Sequence, residues 1–422
     1  MNTRKKILLD KIAGSPLVFL LNISARLLGK LLRINHSQNK APRSIAICKF
    51  MGMGSIIQSL PLLSTLRKNF PQARIIYVTT EKNRKLLELL SAADEIRTID
   101  DSGIFITFFS LLRMLLRFWK RRADIYIDLE TYSYFSTAAA TLTCARDRFG
   151  FYRREANLRM GVYTHMMYFN IKSPISEAYL QMARLAGCTE IINEFPQIRI
   201  DDSAKYSFRE KLKRFSPDIL QKQFIVVNPN ASDLRIERRW DAASYAKVIN
   251  ALALKYSEFI FVLTGSASEA DWVNKIENGI DDGFKNRVVN TSGKFSLPEL
   301  FALISGAELI LTNDSGPMHI AYALCKPGVG LFGPCSPEQY GSNKNSLAVY
   351  KNIYCSPCVH DFIIPPCKGD NQCMKLIEVN EVVNACSHLL DGKIPSAFVN
   401  SISEIEYSRQ KKSSPFGIVT RN

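Results

Sequence analysis

A short polar run between two apolar segments is the part of the sequence best suited to chemistry. Apolar residues 309–311 lead into Thr-Asn-Asp-Ser-Gly, and a helical pattern that includes His319 begins near Pro317. A strand that turns directly into a helix leaves backbone N–H groups and the positive end of the helix dipole facing outward, and both attract anions. The run therefore predicts an anion site, although the local sequence also fits a plain tight connection.

Four cysteines near the C-terminus form a second cluster of chemically versatile side chains. They follow the spacing C-x2-C-x8-C-x5-C and are Cys355, Cys358, Cys367 and Cys373. A C-x-x-C pair followed by a second pair has the composition of a closed, structural metal site holding Zn or Fe. Disulfides and free thiols stay open as alternatives. The chain has ten cysteines, too few for a disulfide scaffold of this size, which suits a reduced cytosolic protein.

Length and charge limit the classes of protein that the chain can belong to. It has 422 residues, 46% hydrophobic and 22% charged, which indicates two or three globular domains and excludes disorder, collagen and a coiled coil. The formal net charge of +16 calls for an anionic partner: nucleic acid, an anionic membrane or a phosphorylated substrate. Residues 1–43 contain nine basic residues and one acid, so half of the excess charge lies in an N-terminal arm.

The arm reads as a basic amphipathic helix. Ser15 and Pro16 are typical of a helix start, and leucines then recur at helical spacing beside Arg26, Lys30 and Arg33. The uncharged run 12–25 is shorter than the roughly eighteen residues of a membrane span, and no signal-peptide cleavage site follows it. Two interpretations stay open: the helix packs on its own domain, or it lies in the headgroup region of an anionic membrane.

A second apolar segment, residues 104–122, favours the membrane interpretation. It contains ten Phe, Trp, Leu and Met residues, five basic residues and no acid. One helix face cannot bury that many large side chains against a sheet. We therefore predict a crossover helix whose outer side stays apolar and contacts lipid or a partner subunit.

Strand-like runs alternate with helical patterns along most of the chain. This rhythm predicts an α/β fold with parallel sheets covered on both faces. A polar stretch near residues 195–223 marks a boundary, so we predict an arm at 1–43, domains at 44–200 and 201–394, and a loose tail at 395–422. The predicted strands are 44–49, 74–79, 95–99 and 124–129 in the first domain, and 224–229, 259–264, 287–290, 308–312 and 329–332 in the second.

Six stretches of the sequence together match a known pattern. They are TNDSGPMHIAYALCKPGVGLFGPCSPEQYG, KFMGMGSIIQSLPLLSTLRKNFPQARIIYVT, ADIYIDLE, RDRFGFYRR, RRWDAASYAKVI and VLTGSASE. The chain resembles glycosyltransferase family 9, the ADP-heptose:lipopolysaccharide heptosyltransferases, over about residues 44–390. The resemblance implies a GT-B fold of two Rossmann-like domains facing across a cleft, and inverting chemistry without a catalytic metal. It places RDRFGFYRR after a fifth strand. Some relatives of the family hold iron in a similar four-cysteine cluster.

The resemblance assigns the nucleotide sugar to the C-terminal domain. The phosphates would lie over the turn 315–319, and Arg238 would neutralise the charge of the leaving diphosphate. The positions that match the nucleotide-sugar site are Asn230, Ser232, Gly265, Ser266, Leu297, Asp314, Ser315, Gly316 and His319. Each has a structural alternative. Arg238 can be a solvated surface cation, and His319 a hydrogen-bonding residue at a helix N-terminus.

The acceptor-side loop departs from the family pattern. The family carries Gly-Asp there, and that Asp is expected to deprotonate the acceptor hydroxyl. This sequence has Gly52, Gly54 and Ser55 in the loop. A serine near its ordinary pKa cannot accept a proton at neutral pH without a base of its own.

A neighbouring strand gains an acid where the loop has lost one. It reads Ile-Asp-Leu-Glu, with Glu130 where the family usually has Gln. We therefore predict Glu130 as the general base, with Asp128 as the second candidate. The alternative is that Glu130 is a surface acid or pairs with Arg146 or Arg148.

These features together predict a glycosyltransferase bound peripherally to the cytoplasmic face of the inner membrane. It would transfer a sugar, expected to be heptose from ADP-heptose, to a lipopolysaccharide-core or related glycan acceptor. Another nucleotide sugar, or a catalytically silent relative that binds nucleotide or glycan, stays open as an alternative. A nucleic-acid binder fits less well, because the basic arm is rich in leucine and lacks interleaved stacking aromatics.

Overall fold

The computed structural model describes residues 8–33, 36, 41–215, 219–231, 233–341, 343–359, 365 and 367–392. The chain divides into two compact units, the first ending at Ala204 and the second beginning at Lys205. The sequence-predicted boundary at residue 200 lies close to this division. The predicted loose tail and the first residues of the arm lie outside the described residues.

The first unit is built on one parallel sheet. Its strands are β1 Ser44–Cys48, β2 Arg74–Thr80, β3 Glu95–Ile99, β4 Ile125–Asp128, β5 Asp147–Tyr152 and β6 His165–Tyr168. They lie in the order β3-β2-β1-β4-β5-β6, and all neighbouring pairs are parallel. The segment RDRFGFYRR therefore contains the fifth strand, rather than following it as predicted.

Helices connect these strands. They are α1 Ser15–Leu32, α2 Met53–Ile57, α3 Leu60–Asn69, α4 Arg84–Leu90, α5 Ile104–Lys120, α6 Tyr134–Leu142, α7 Ile175–Leu185 and, at the division between the units, α8 Asp202–Lys213. Two 3-10 turns, Glu81–Asn83 and Arg154–Arg159, complete the unit. The first helical pattern after β1 is split in two, because Pro61 lacks an N–H group and starts a new helix.

The second unit repeats the same plan. Its strands are β7 Phe224–Asn228, β8 Ile260–Leu263, β9 Val288–Asn290, β10 Leu309–Asn313, β11 Gly328–Phe332 and β12 Ser346–Tyr350. They lie in the order β12-β11-β10-β7-β8-β9 and are again parallel. The helices are α9 Ala242–Lys255, α10 Ala270–Asn278, α11 Leu297–Gly306, α12 Gly316–Ala323, α13 Pro337–Tyr340, α14 Gln372–Lys375 and α15 Val379–Leu390, with 3-10 turns at Ile219–Gln221, Asp233–Arg238, Ala267–Glu269 and Asp282–Arg287.

Both sheets have the strand order of a Rossmann fold, so the α/β prediction is confirmed. The apolar strands are buried on both faces, as parallel sheets require. In such sheets the first three strands are added towards one edge and the next three towards the other edge. The order therefore reverses between the first and fourth strands, and ligands bind outside the carboxyl ends of those two strands. These switch points lie after β1 and β4 in the first unit and after β7 and β10 in the second.

The N-terminal helix packs on the first unit. Val18 of α1 is buried against Ala138 and Val162. The Nδ2 atom of Asn22 donates to the carbonyl of Leu158 at 3.0 Å. The carboxylate of Asp10 accepts the N–H groups at the start of α6. The two sequence interpretations are therefore compatible, because one face of the helix is packed while the other is exposed.

The helical segment is longer than the uncharged run suggested. A π-helical turn, Asp10–Gly14, precedes α1, so Ser15 is not the N-cap that the sequence predicted. Within the described residues, the segment Asp10–Leu31 is long and apolar enough, by length and composition alone, to cross a membrane. Its contacts with α6 hold it on the surface of the unit in this structure.

Candidate functional site

The turn between β10 and α12 forms the centre of the site in the second unit. Ser315 is the N-cap residue of α12, but its hydroxyl lies 2.9 Å from the hydroxyl of Thr312 and does not cap the helix. Gly316 and Pro317 begin the helix. The first turn of α12 therefore has no side-chain cap among the described residues, which is the arrangement that suits an incoming anion.

Arg238, Asp314 and His319 lie together at this turn. The Nη1 atom of Arg238 is 3.4 Å from Oδ2 of Asp314, and Nε2 of His319 is 3.8 Å from Oδ1 of the same carboxylate. Burial would raise the pKa of Asp314, but the charge of Arg238 and the hydrogen bond from His319 lower it well below its usual range. The carboxylate is thus ionised and holds the guanidinium beside the helix N-terminus.

The ion pair with Asp314 leaves part of the Arg238 guanidinium unused. About a quarter of its side chain is exposed, and its Nε atom has no hydrogen-bond partner among the described residues. The interpretation of Arg238 as a solvated surface cation is therefore wrong, since it is paired with Asp314. The spare donors can meet a second anion.

Cys335 also belongs to this cluster, and the sequence analysis did not single it out. It is fully buried and hydrogen-bonded to both Asp314 and Arg238. Burial raises the pKa of its thiol, so the group is a neutral hydrogen-bonding partner. Its place in the predicted motif, directly after Gly-Pro at the end of β11, was the available signal.

Asn230 lies at the carboxyl end of β7, next to this turn. Its Nδ2 atom donates to Oδ1 of Asn228 at 3.0 Å and to the carbonyl of Thr264 at 2.9 Å. Its Oδ1 atom is buried and has no partner among the described residues. A Cβ atom on Gly265 would lie 2.6 Å from Nδ2 of Asn230, so only glycine allows this close packing. The side chain is held with one acceptor oxygen unused.

A further residue missed by the sequence analysis joins the two loops. The Oδ1 atom of Asn313 accepts from the hydroxyl of Tyr245 at 2.9 Å and from the N–H of Trp240 at 3.3 Å. Its Nδ2 atom donates to the carbonyl of Asn230 at 3.3 Å. The buried amide therefore fixes the loops after β7 and β10 against each other.

Ser266 and Leu297 occupy helix starts near this edge of the sheet. Ser266 forms a capping box with Glu269, so its hydroxyl is engaged in holding the turn after β8. Leu297 is half-buried in the first turn of α11, behind the capping box of Ser296 and Glu299. The predicted nucleotide position Ser232 lies outside the described residues.

In the first unit, Glu130 is buried and fully engaged with the loop after β1. Its Oε2 atom pairs with Nζ of Lys49 at 2.9 Å. Its Oε1 atom accepts the N–H groups of Phe50 at 2.7 Å and Met51 at 2.9 Å. Burial lowers the pKa of Lys49, but the charge and hydrogen bond of Glu130, together with the charges of Tyr179 and Asp128, outweigh burial, so the lysine pKa is raised and the side chain stays charged.

The predicted partners of Glu130 were wrong. Arg146 pairs instead with Asp147 at 2.9 Å, and Arg148 donates to the carbonyls of Val162 and Ala145. The observed contacts make Glu130 a residue that positions the loop. Its role as a general base stays a prediction.

Asp128 is also committed to internal contacts. It is fully buried, lies 3.1 Å from Nη2 of Arg159 and accepts from the hydroxyl groups of Ser136 and Tyr163. Burial raises its pKa against the opposing effect of Arg159. Its Oδ1 atom accepts the backbone N–H of Glu130 at 2.9 Å. Asp128 therefore helps to position Glu130 from behind.

Gly52 and Ser55 shape the acceptor-side loop. Gly52 has φ of +89°, which favours glycine, and it precedes α2. Gly54 and Ser55 lie inside α2, and the Ser55 hydroxyl is hydrogen-bonded to Tyr179. The contacts described for Ser55 include no carboxylate, so they do not supply this serine with a base of its own.

The four-cysteine metal site is not supported. The structure describes all ten cysteines, and none of them forms a disulfide. Burial and the neighbouring thiols Cys358, Cys355 and Cys367 raise the pKa of Cys373 to about 12, so the four residues do lie in one region. Even so, within the described part of the chain no group of three or more His, Cys, Asp or Glu side chains has the geometry to hold a metal ion.

Two Rossmann-like units in one chain are the architecture of GT-B glycosyltransferases. The glycosyltransferase family 9 (heptosyltransferase) model matches residues 112–364. The chain therefore belongs to glycosyltransferase family 9 and is a glycosyltransferase, as the sequence resemblance predicted.

Individual relatives agree with this assignment. Lipooligosaccharide heptosyltransferase 2 of Campylobacter jejuni is 32% identical over 43% of this chain and 56% of its own length. Lipopolysaccharide heptosyltransferase 3 of Escherichia coli K12 is 23% identical over 82% of this chain and 98% of its own length. The structure of the E. coli ADP-heptose lipopolysaccharide heptosyltransferase II has a TM-score of 0.66 with 21% identity, covering 83% of this chain and 99% of that one. This similarity establishes the fold.

Proposed function

We propose that this chain transfers a heptose from ADP-heptose to a lipopolysaccharide-core or related glycolipid acceptor. The observation that carries the proposal is the Arg238, Asp314 and His319 cluster at the uncapped start of α12. In a family 9 chain, this cluster is the natural place for the nucleotide diphosphate. The names of the relatives, which are lipopolysaccharide and lipooligosaccharide heptosyltransferases, support the sugar and the acceptor.

The proposed reaction is an inverting displacement. The acceptor hydroxyl oxygen attacks the anomeric carbon from the side opposite the diphosphate and forms the new C–O bond, while the bond to the diphosphate breaks and ADP leaves. The hydroxyl proton passes to a base, for which Glu130 is the proposed residue. Arg238 and the N–H groups of α12 meet the charge that builds on the diphosphate, so no divalent ion is needed.

The first test is a donor screen with purified protein. ADP-heptose, UDP-sugars and GDP-sugars are each supplied with EDTA and a lipopolysaccharide-core acceptor extract, and nucleotide release and transfer are measured. Release of ADP only with ADP-heptose, unaffected by EDTA, is the expected result. Turnover of a different nucleotide sugar would show that ADP-heptose is not the donor. A requirement for added Mg²⁺ would overturn the proposal that the reaction needs no divalent ion.

The role of Glu130 needs a variant that separates basicity from loop positioning. Glu130→Gln keeps a carbonyl oxygen for the N–H groups of Phe50 and Met51 but cannot take a proton. Loss of a general base lowers kcat by roughly 10²- to 10⁴-fold. The double variant Lys49→Met/Glu130→Gln removes the unpaired lysine as well, so activity that returns in the double variant would assign Glu130 to positioning. Full turnover by Glu130→Gln would also exclude it as the base.

A second candidate function is a silent module that binds nucleotide or glycan without turnover. Ser55 in place of the loop carboxylate, together with the engaged state of Glu130, favours it. Calorimetric binding of ADP or ADP-heptose with no release from any donor in the screen would support this candidate over the transferase.

We further propose that the enzyme works at the cytoplasmic face of the inner membrane as a peripheral protein, since an amphiphilic acceptor is presented there. The exposed apolar faces of α1 and α5 support this location. Fractionation that leaves the chain entirely in the soluble fraction at low salt would contradict it.

A further inference from the structure

Helix α5 presents an unusual outer surface. Only Met114, Leu115 and Phe118 are buried in the core of the first unit. Leu111 is partly buried against that core, and the remaining large apolar side chains are exposed, with Phe105 reaching 80%. The exposed set is Ile104, Phe105, Ile106, Phe108, Phe109, Leu112, Leu116 and Trp119.

This helix is fixed to the unit rather than loosely attached. The indole N–H of Trp119 donates to the carbonyl of Leu142 at 2.7 Å, which ties the end of α5 to the end of α6. Helix α1 packs on α6 as well, and Asp10 binds the start of α6. The two helices with exposed apolar faces are thus both anchored to α6.

A basic cavity of about 200 Å³ lies at the C-terminal end of α5. Its lining residues are Arg74, Glu95, Arg97, Arg117, Lys120 and Arg121. Strands β2 and β3 begin at Arg74 and Glu95, so the cavity lies at the amino ends of the strands. Glu130 follows the carboxyl end of β4, at the opposite edge of the same sheet, so this cavity is separate from the acceptor-side loop.

The single acid in the cavity is already neutralised. Glu95 accepts from Nε of Arg97 at 2.8 Å and from Nη2 of Arg74 at 2.8 Å. Burial would raise its pKa, but the hydrogen bond from Arg97 and the charges of Arg97, Arg74 and Arg117 lower it. Arg117, Lys120 and Arg121 make no ion pair with any residue that the structure describes.

One donor nitrogen of Arg97, a residue that lines the cavity, is left without a hydrogen-bond partner among the described residues. Its side chain is only 4% exposed, and its guanidinium carbon lies 4.1 Å from the centre of the Phe118 ring. Two of its nitrogens bind Glu95, while Nη1 is buried and has no hydrogen-bond partner among the described residues. A buried guanidinium nitrogen without a partner is costly, so an anion in the cavity would complete it.

We propose that this cavity binds the phosphate of an anionic phospholipid while the apolar face of α5 lies in the same bilayer surface. A phosphate oxygen would take the Nη1 donor of Arg97, and Arg117, Lys120 and Arg121 would surround the charge. The adjoining Trp119 and phenylalanines suit the boundary between headgroups and acyl chains. The helix lies along the surface, because its opposite face is buried in the protein core.

Charge and shape favour a lipid over the other anions. The basic side chains alone could bind a free phosphate, but a free phosphate would not explain the eight exposed apolar side chains beside them. A phospholipid explains both features. Helix α5 carries no acid, so an acidic bilayer meets it without repulsion along its whole length. A helix of this length extends about 25 Å, enough to cover several headgroups.

The test measures vesicle binding by the full chain without any donor or acceptor. Co-sedimentation is compared for vesicles of phosphatidylcholine alone and for vesicles that also contain phosphatidylglycerol. The variant Arg117→Gln/Lys120→Gln/Arg121→Gln keeps the buried Arg97 intact and changes only exposed side chains. We expect it to bind anionic vesicles roughly a hundredfold more weakly, since each basic residue near an anionic leaflet contributes about fivefold.

A matched control removes the same charge elsewhere. Lys222→Gln/Lys247→Gln/Lys344→Gln changes three exposed lysines of the second unit, and its vesicle binding should stay near that of the wild type. Equal losses in the two triple variants would overturn the proposal, because binding would then follow net charge alone.

Two further arms identify the source of the phosphate and the apolar contribution. Inorganic phosphate at millimolar concentration should leave vesicle binding unchanged; release of the protein by phosphate would overturn the lipid assignment in favour of a free-phosphate site. Phe105→Ser/Phe109→Ser should weaken binding to anionic vesicles at least tenfold, and an unchanged affinity would overturn insertion of α5. The vesicle measurements use no donor or acceptor, so they are independent of the donor screen. A chain that bound lipid but turned over no donor would contradict the proposed function and leave this proposal intact.

Discussion

The two switch points of the molecule use the same elements in different ways. Each has a buried carboxylate paired with a cation at the carboxyl end of its sheet. In the first unit, Glu130 and Lys49 are 2.9 Å apart with less than a tenth of either side chain exposed. In the second unit, Arg238 and Asp314 are 3.4 Å apart, and the guanidinium is about a quarter exposed.

The difference separates two kinds of site. We call the Glu130 and Lys49 pair the closed frame, and the region of Arg238, Asn230 and the start of α12 the open site. The carboxylate of Glu130 is saturated by Lys49 and two backbone N–H groups, so the pair stabilises the loop after β1. At the second switch point, Nε of Arg238 and Oδ1 of Asn230 have no partners among the described residues, and α12 begins without a side-chain cap. Unused donors and acceptors are what a ligand needs, so the second unit is the place where binding energy is available.

The largest expected effect is the loss of stability when the closed pair is broken. Lys49→Met leaves the Glu130 carboxylate buried without its cation, and breaking one side of a buried pair costs about 3–5 kcal/mol. Urea unfolding of the variant should show this decrease in the free energy of unfolding.

The double variant Lys49→Met/Glu130→Gln should recover most of that loss, because it leaves no unpaired charge. The exposed pair of Lys285 and Asp282 is the control, and Lys285→Met should leave the unfolding midpoint unchanged. A double variant as unstable as the sum of the single variants would contradict the closed frame.

The next effect concerns activity at the open site. Arg238→Met should lower kcat by roughly 10²- to 10³-fold, as loss of one preorganised stabilising group does. Arg238→Met should destabilise the fold less than Lys49→Met, because about a quarter of the Arg238 side chain is exposed and Asp314 keeps its contacts with His319 and Cys335. Steady-state kinetics with ADP-heptose and a thermal melt measure the two quantities.

Arg238→Lys keeps the charge but loses the planar donors, so it should restore part of kcat. Arg209→Gln, which removes an exposed arginine of the same unit, should leave kcat unchanged. If Arg238→Met unfolded the protein but spared the kcat of the folded fraction, the arginine would be part of a frame like that of Lys49.

The alternation of apolar strands and helices predicted both sheets, because strands of a parallel sheet are buried on both faces and read as apolar runs. The predicted strand 95–99, for example, matches β3. The strand-to-helix turn after β10 was also predictable, since it is encoded in a few adjacent residues.

Strand β6 and the ion pairs were not predictable in the same way. Strand β6 is half-exposed and short, so its residues show no continuous apolar run. The pairs of Glu130 with Lys49 and of Arg238 with Asp314 join residues about 80 positions apart in the chain. Single-sequence spacing carries no record of such contacts, which is why Arg146 and Arg148 were the wrong partners for Glu130.

A smaller effect tests whether the unused acceptor of Asn230 contributes to donor binding. In Gly265→Ala the new Cβ would lie 2.6 Å from Nδ2 of Asn230, so the amide must move from its two hydrogen bonds. We expect the KM for the donor to rise about tenfold, with a smaller change in kcat; overpacking of this kind costs about 1–3 kcal/mol. Gly283→Ala, where nothing lies within 4 Å of the new atom, is the matched control. An unchanged KM in Gly265→Ala would remove Asn230 from the open site.

The smallest effect is an acid dependence in the second unit, at the start of α11. Glu299 is buried by its cap and pairs with Lys211 at 2.7 Å. Burial would raise its pKa, but the hydrogen bonds from Lys211, Ser207 and Ser296 lower it to about 2. A carboxyl group whose folded pKa is lowered stabilises the fold above its ordinary pKa, and that contribution is lost as the pH falls from about 4.5 towards 2.

Because Lys211 is partly exposed, the contribution at neutral pH should be modest, about 1–2 kcal/mol. Glu299→Gln should therefore lower the free energy of unfolding at pH 7 by that amount, and the difference from the wild type should shrink by pH 3. Two of the three tryptophans, Trp240 and Trp272, lie in the second unit, so tryptophan fluorescence of a Trp119→Phe background during urea unfolding reports on that unit. Glu308→Gln, at an exposed acid of the same unit, should follow the wild type at both pH values. A constant difference between Glu299→Gln and the wild type from pH 7 to pH 3 would show that the carboxylate acts by shape and not by charge. Any acid sensitivity of the unit would then come from another buried carboxylate, such as Asp314, whose pKa is also lowered.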